Sequence, residues 1–238
     1  MAPELNHLSQ PVGTNVPNWK PVAHPGREAM EGAYCRVEPL SAEKHASQLF
    51  ASNQRDSEGR NWTYLEYGPF HEFAEYRDWL SQRASENDPL FHAIIDKATD
   101  RATGVASYLR INPTNGSIEV GHLNFSPHLQ ATRAATEAMY LMMEKAFALG
   151  YRRYEWKCNA LNAPSRRAAL RLGFSFEGVF RQAAVVKGRN RDWAWFSIID
   201  QEWPPLSRIL KRWLDPQNFD EHGRQRVALS ELTAPSPS

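Results

Sequence analysis

Residues 126–174 read SPHLQATRAATEAMYLMMEKAFALGYRRYEWKCNALNAPSRRAALRLGF, and this stretch decides the fold. It parses as loop, long helix, short strand and short helix. From about Ala134 to Leu149, the residues Met139, Met142, Met143, Ala146 and Phe147 recur at helical spacing and make one apolar face. Gly150 supplies the stop. Tyr154-Glu155-Trp156-Lys157-Cys158 is short and alternating, which suits a strand. Asn162 can cap a second helix with Pro164 in its first turn, and Gly173 ends it.

The loop Gln130-Ala131-Thr132-Arg133-Ala134-Ala135-Thr136 leads into the long helix with small side chains. The first-turn amides of a helix have no helical partner, and the dipole favours negative charge there, so a pyrophosphate would fit. An ordinary loop and helix start is the alternative that the loop alone favours.

The order of elements resembles the acetyl-CoA-binding core of the GCN5-related N-acetyltransferases. That family holds the coenzyme A pyrophosphate on a Gln/Arg-x-x-Gly-x-Gly/Ala loop, matched by Gln130-Ala131-Thr132-Arg133-Ala134-Ala135. Asn162-x-x-Ser165, then Ala169-Leu170-Arg171-Leu172-Gly173-Phe174, Glu177-Gly178 and Arg181-Gln182-Ala183, resembles the subgroup of ribosomal-protein N-terminal acetyltransferases. The similarity covers residues 33–203. It implies an α+β acyl-CoA N-acyltransferase fold, with a central mixed, mostly antiparallel sheet flanked by helices.

Two residues depart from the pattern. Arg133 stands where the family has its first glycine, so the loop must use an ordinary backbone conformation there, and the guanidinium is free to meet a phosphate instead. Ala184 stands where the subgroup has a glutamate base. The base is then Glu119 or a water chain, or the acceptor is not a ribosomal protein, or the chemistry is lost.

The resemblance implies that Leu123, Asn124 and Phe125, on a strand that splays from its neighbour, meet the pantetheine arm. Residues 130–136 take the pyrophosphate, and Asn159, Asn162 and Ser165 complete the cofactor-binding set. Ser165 is the expected acid for the departing thiolate. Glu119 alternates with Gly121, Leu123 and Phe125; apolar neighbours would raise its pKa and suit a base, against an ion-paired carboxylate as the alternative. His122, on the opposite face, is a second proton carrier or a structural histidine. Trp62, Tyr64 and Trp193 are candidates for the acceptor pocket, with core packing as the alternative for each. Arg166, Arg167 and Arg171 either face the 3′-phosphate or are solvated helix charges. Cys158 lies in an apolar strand with no nearby base and is a poor nucleophile.

The remainder of the chain fits one domain with appendages. The expected division is a Pro-rich arm over 1–32, an N-acetyltransferase domain over 33–214 and a mobile tail over 215–238. Val12, Val16, Trp19 and Val22 are the residues that would pin the arm. Ala33–Leu40 reads as a strand, Ser41 as the cap of a helix to about Ser52, and Phe70–Ala84 as a second amphipathic helix. Leu90–Asp96 and Val105–Ile111 read as strands joined by a turn at Thr99–Gly104, and Asn115-Gly116 as a hairpin leading into Ser117–Phe125. Arg181–Val186 and Trp193–Ile199 supply the last strands, Pro204-Pro205 the close of the domain, and Leu206, Ile209, Leu210 and Trp213 a docking helix.

The 28 basic and 27 acidic side chains nearly cancel, which argues against a nucleic-acid partner. Two cysteines imply no disulfide scaffold. No apolar run is long enough for a bilayer and no metal-ligand spacing appears, so no membrane partner and no metal are expected. A cytoplasmic enzyme using acetyl-CoA as cosubstrate and a small-molecule or protein or peptide amine as acceptor is the leading expectation, with direct attack in a ternary complex. A homodimer is left open. The rival expectations are a coenzyme-A-binding regulatory module without catalysis, and an acyltransferase using succinyl-CoA, with Arg110 or Arg191 facing the acyl carboxylate.

Overall fold

A computed structural model describes residues 4–234. A two-stranded hairpin, β1 (Glu4–Leu5) with β2 (Pro11–Val12), precedes the main sheet. The main sheet has eight strands: β3 (Met30–Glu31), β4 (Cys35–Pro39), β5 (Leu90–Asp96), β6 (Arg101–Asn112), β7 (Ser117–Phe125), β8 (Arg153–Asn159), β9 (Ser175–Val186) and β10 (Arg189–Ile199). They run in the order β3-β4-β5-β6-β7-β8-β10-β9. Every neighbouring pair is antiparallel except β7 with β8, which is parallel. The helices are α1 (Ala42–Asn53), α2 (Phe73–Ser85), α3 (Arg133–Ala148), α4 (Ala163–Arg171), α5 (Trp203–Leu214) and α6 (Leu229–Leu232).

Alternation along the strands divides the core. Phe91, Ala93 and Ile95 of β5 pack under α1 and α2 with Leu49, Tyr76 and Leu80. Leu90 and Ile94 face the other way, toward Met139, Met142 and Met143 of α3. Each such buried side chain stabilises the fold by roughly 1.5–3 kcal/mol. Glu137 of α3 is also buried, and its carboxylate accepts from the amides of Ala33 (2.8 Å), Tyr34 (2.6 Å) and Cys35 (2.8 Å). That contact fixes the N-terminal edge of the sheet to the helix that carries the candidate site.

The structure corrects several expectations. The Thr99–Gly104 turn is shorter: β6 already starts at Arg101, because Ala102 is buried and pairs with Ile95. Pro204 and Pro205 do not close the domain; they lie in the first turn of α5, where a missing N–H costs nothing. Trp19 and Val22 pin the arm, whereas Val12 and Val16 are exposed. Trp19 donates from Nε1 to Thr114 O at 2.8 Å, and its ring covers Gly116, whose φ of 65° and missing Cβ make the approach possible. Residues 215–234 are not a loose tail. Phe219 and Leu229 are buried in the main core, and Phe219 pairs with Gln225. The closing Pro235-Ser236-Pro237-Ser238 lies outside the described residues.

Candidate active site

Parallel pairing of β7 with β8 starts at Ser117–Arg153 and stops at Val120–Trp156. Beyond that rung the strands part. A bulge at Gly121 and His122, with His122 at φ 51°, turns the rest of β7 toward β6. The gap opens a cavity of about 150 Å³ lined by Tyr64, Glu119, His122, Leu123, Lys157, Asn159, Asn162, Ser165, Arg191 and Trp193. A much larger cavity, about 1660 Å³, lies beside it, from the start of α3 along α4 and under residues 213–234. Trp156 lines both cavities. Its indole Nε1 donates to Ser165 Oγ at 3.0 Å, so the serine hydroxyl, in the small cavity, is held against the ring that lines both. Asn162 Oδ1 accepts the Ser165 amide at 3.2 Å and caps α4.

The large cavity is anion-friendly at one end. Ala131, Thr132, Arg133, Ala135 and Thr136 line it. Thr132 Oγ1 accepts the Ala135 amide at 3.1 Å, while the Arg133 and Ala134 amides have no protein partner among the described residues. The left-handed residue of the loop is Ala131, with φ 60°, and Arg133 keeps an ordinary helical backbone. Arg167 and Arg171 also line the cavity; Arg171 donates to Thr136 Oγ1 at 3.2 Å. Burial holds the Arg171 pKa below its usual value. Gln130 spends its amide on Asn61 Oδ1 and Phe125 O, both at 2.8 Å, and so braces the loop rather than pointing a donor inward.

Arg133 does something other than wait for a phosphate. Its guanidinium lies 4.6 Å from the Tyr34 ring centroid and 4.3 Å from that of Phe219. The arginine thus clasps residues 215–234 onto the mouth of the cavity. Arg166 turns away as well, to Ala160 O at 3.2 Å and the Phe176 ring.

On the acceptor side three expectations need correction. Glu119 is buried, yet its environment is not apolar: Arg110, on the neighbouring strand, forms an ion pair with it. Arg110 sits at φ 46° in an irregular stretch of β6, which strand alternation within β7 does not reveal. His122 is not on the opposite face from Glu119, because the bulge brings both into one cavity. Burial pulls its pKa down to about 4, so the imidazole is neutral at ordinary pH. Trp62 is buried in the aromatic core with Tyr67 and Phe70 and does not line the small cavity, whereas Tyr64 and Trp193 do. Leu123 faces the small cavity and Phe125 the large one, while Asn124 is buried between them. Burial raises the Cys158 thiol.

Sequence reading missed Lys157, Trp156 and the 213–234 wall. Lys157 lies 4.3 Å from the Trp193 ring centroid, and burial pulls it to about 8. The alternation of residues 154–158 carries no signal for this; only the register of β8 against β10, which places Asn159 opposite Trp193, does. Lys187, in the β9–β10 turn, donates to Trp62 O at 3.0 Å and Gly68 O at 2.9 Å, fastening that hairpin over the cavity.

The acetyltransferase (GNAT) domain pattern matches residues 36–175. The chain belongs to the GNAT acetyltransferase family. A GCN5-related N-acetyltransferase from Brucella melitensis, known as a crystal structure, is 48% identical, with a TM-score of 0.89 over 91% of this chain and 98% of that one. The uncharacterized N-acetyltransferase p20 of Bacillus licheniformis is 28% identical over 144 residues, 59% of this chain and 80% of that protein. A ribosomal-protein-serine acetyltransferase of Escherichia coli is 34% identical over 94 residues, 39% of this chain and 52% of that protein. The GNAT match ends at Ser175, the first residue of β9, so the rest of β9, β10 and the wall at 213–234 lie outside it. Among the described residues no cluster of three His, Cys, Asp or Glu forms a cation site, and no helix is long and apolar enough to cross a membrane.

Proposed function

We propose that this GNAT acetyltransferase moves the acetyl group of acetyl-CoA to a primary amine by direct attack in a ternary complex. The observation that carries this reading is the gap beyond Val120–Trp156, where a small polar cavity holding Ser165 shares the Trp156 wall with a coenzyme-sized one. Acetyl-CoA supplies the activated acyl group when bound. The free amides at the start of α3, with Arg167 and Arg171, would hold its phosphates. Beyond Val120, β7 has no strand partner on its β8 side and would offer backbone groups to its amides around Leu123.

Each remaining role falls to a residue of this chain. Trp156 donates to the Ser165 oxygen and so leaves the hydroxyl proton free to turn toward a developing thiolate. Glu119, ion-paired with Arg110, attracts the amine and takes its proton directly or through an aligned water. Tyr64 and Trp193 bound the space the amine occupies. Residues 33–214 make the transferase domain in this reading, 1–32 its arm, and 215–234 part of the coenzyme site rather than a tail.

The rival reading is a coenzyme-A-binding module without turnover, and Ala184 favours it. Release of free thiol from acetyl-CoA with a panel of small amines and short peptides decides between them. Turnover above the amine-free rate supports transfer; calorimetric binding of acetyl-CoA without any thiol release establishes the module.

A further inference from the structure

The acceptor cavity holds more positive charge than the chain itself matches. Arg191 is only 5% exposed, and its Nε has no hydrogen-bond partner. Across the β9–β10 ladder it faces Ala184, which offers no carboxylate. Its guanidinium rests 4.9 Å from the centroid of Trp193, the same indole that Lys157 approaches at 4.3 Å. Neither cation takes part in an ion pair among the described residues. The nearby carboxylates are engaged elsewhere: Glu119 with Arg110, and Glu155 with Arg153 at 2.6 Å. Glu66 also lines the cavity and is the one acidic group there without such a partner, set against two cations.

A guanidinium withdrawn from water without an ion-pair partner of its own is costly, and an indole face and a Glu66 charge shared with Lys157 compensate only part of that cost. Such an arrangement persists where a bound anion completes it. Arginine offers a planar fork suited to a carboxylate, and Lys157 adds a point charge beside it.

We propose that Arg191 and Lys157 form a carboxylate subsite in the acceptor cavity, so that the preferred acceptor is an amine that also carries a carboxylate. This assignment rests on the acetyl-transfer reading of the same cavity. A carboxylate could also arrive on the acyl group of a succinyl thioester, and the test separates these sources.

Calorimetry with N-acetylglycine and its neutral methylamide probes the subsite without turnover. The acid should bind the wild type at least roughly tenfold more tightly than the amide. Arg191→Met should bind both alike, and Arg191→Lys should regain part of the preference. Equal binding of acid and amide to the wild type overturns the subsite. In thiol-release assays with acetyl-CoA, amino acids should exceed the amines left by their decarboxylation by roughly tenfold or more in kcat/KM. A preference instead for succinyl-CoA over acetyl-CoA with neutral amines would move the carboxylate to the acyl group and overturn the acceptor assignment. Thiol release from no amine at all would break the transfer reading, while the calorimetric pair still decides the subsite. Melting temperature and acetyl-CoA affinity, unchanged in both Arg191 variants, separate lost recognition from lost folding.

Discussion

The two cavities are built from different materials. The large one combines backbone amides and small residues at the start of α3, an apolar floor along α3 and α4, and the arginines Arg167 and Arg171. The small one sets charged side chains against an indole: Lys157 lies 4.3 Å and Arg191 4.9 Å from the centroid of Trp193, with Glu66 and Glu119 in the same lining. A site that grips a common carrier can rely on backbone, which every residue has. A site that chooses an acceptor must rely on side chains, which are specific. Mutations should therefore separate the cavities by which kinetic quantity moves.

The largest expected effect lies beside the Trp156 wall that the cavities share. Ser165→Ala should lower kcat by roughly a hundredfold or more, the range for a lost general acid, while acetyl-CoA affinity by calorimetry stays within about twofold. An unchanged kcat would remove Ser165 from proton transfer and leave it as a structural partner of Trp156.

Acid titration comes next. His92, 1% exposed, and His122, in the small cavity, are both pulled to about 4 by burial. Between pH 6.5 and 4 the unfolded chain takes protons that the folded one refuses, so stability is full above this window and is lost as pH falls through it. His92 alone is worth roughly 3 kcal/mol across the window. Denaturant melts of His92→Gln should show a flatter acid limb with acceptor KM unchanged; His122→Gln should flatten it and also shift that KM. Identical behaviour of the two variants would erase the distinction between core and cavity histidine.

Phe219→Ala should reverse the Ser165 pattern. Loosening the aromatic that Arg133 holds should weaken acetyl-CoA binding by about tenfold, the equivalent of roughly 1.4 kcal/mol, with kcat at saturation little changed. Unaltered affinity would mean that residues 215–234 cover the cavity without contributing to it. The smallest effect belongs to Trp62→Phe. Since Trp62 packs in the core under Lys187, acceptor KM should stay within about twofold while the melting temperature falls. A large KM change would return Trp62 to the acceptor side.

The same contrast explains what could be read from sequence. The α3 start, the Asn162 cap and the hairpin at Asn115-Gly116 are local signals, and each is found where its residues stand. Membership of the 130–136 loop in a cavity follows from that local order. The acceptor side depends on strand register and on bulges. Arg110 reaches Glu119 only because β6 is irregular between Leu109 and Asn112, and His122 joins Glu119 only because β7 is bulged. Nothing in the single strand of letters encodes either crossing. Tyr64 and Trp62 are two positions apart, yet one lines the cavity and the other fills the core, since a short 3-10 turn at Arg60–Trp62 rotates them apart. The wall at 213–234 was illegible for another reason: its polar composition masks two anchors, Phe219 and Leu229, whose burial depends on partners such as Tyr34 and Arg133 far upstream.

The clasp between Arg133 and Phe219 also sets an order in time. A ribosome delivers residues 133–171 well before residues 213–234, so a nascent chain can complete its sheet and the start of α3 while one side of the carrier's berth is still unmade. Competence to load the thioester would then wait until residues 213–234 have been made, when Phe219 slides over a guanidinium already in place.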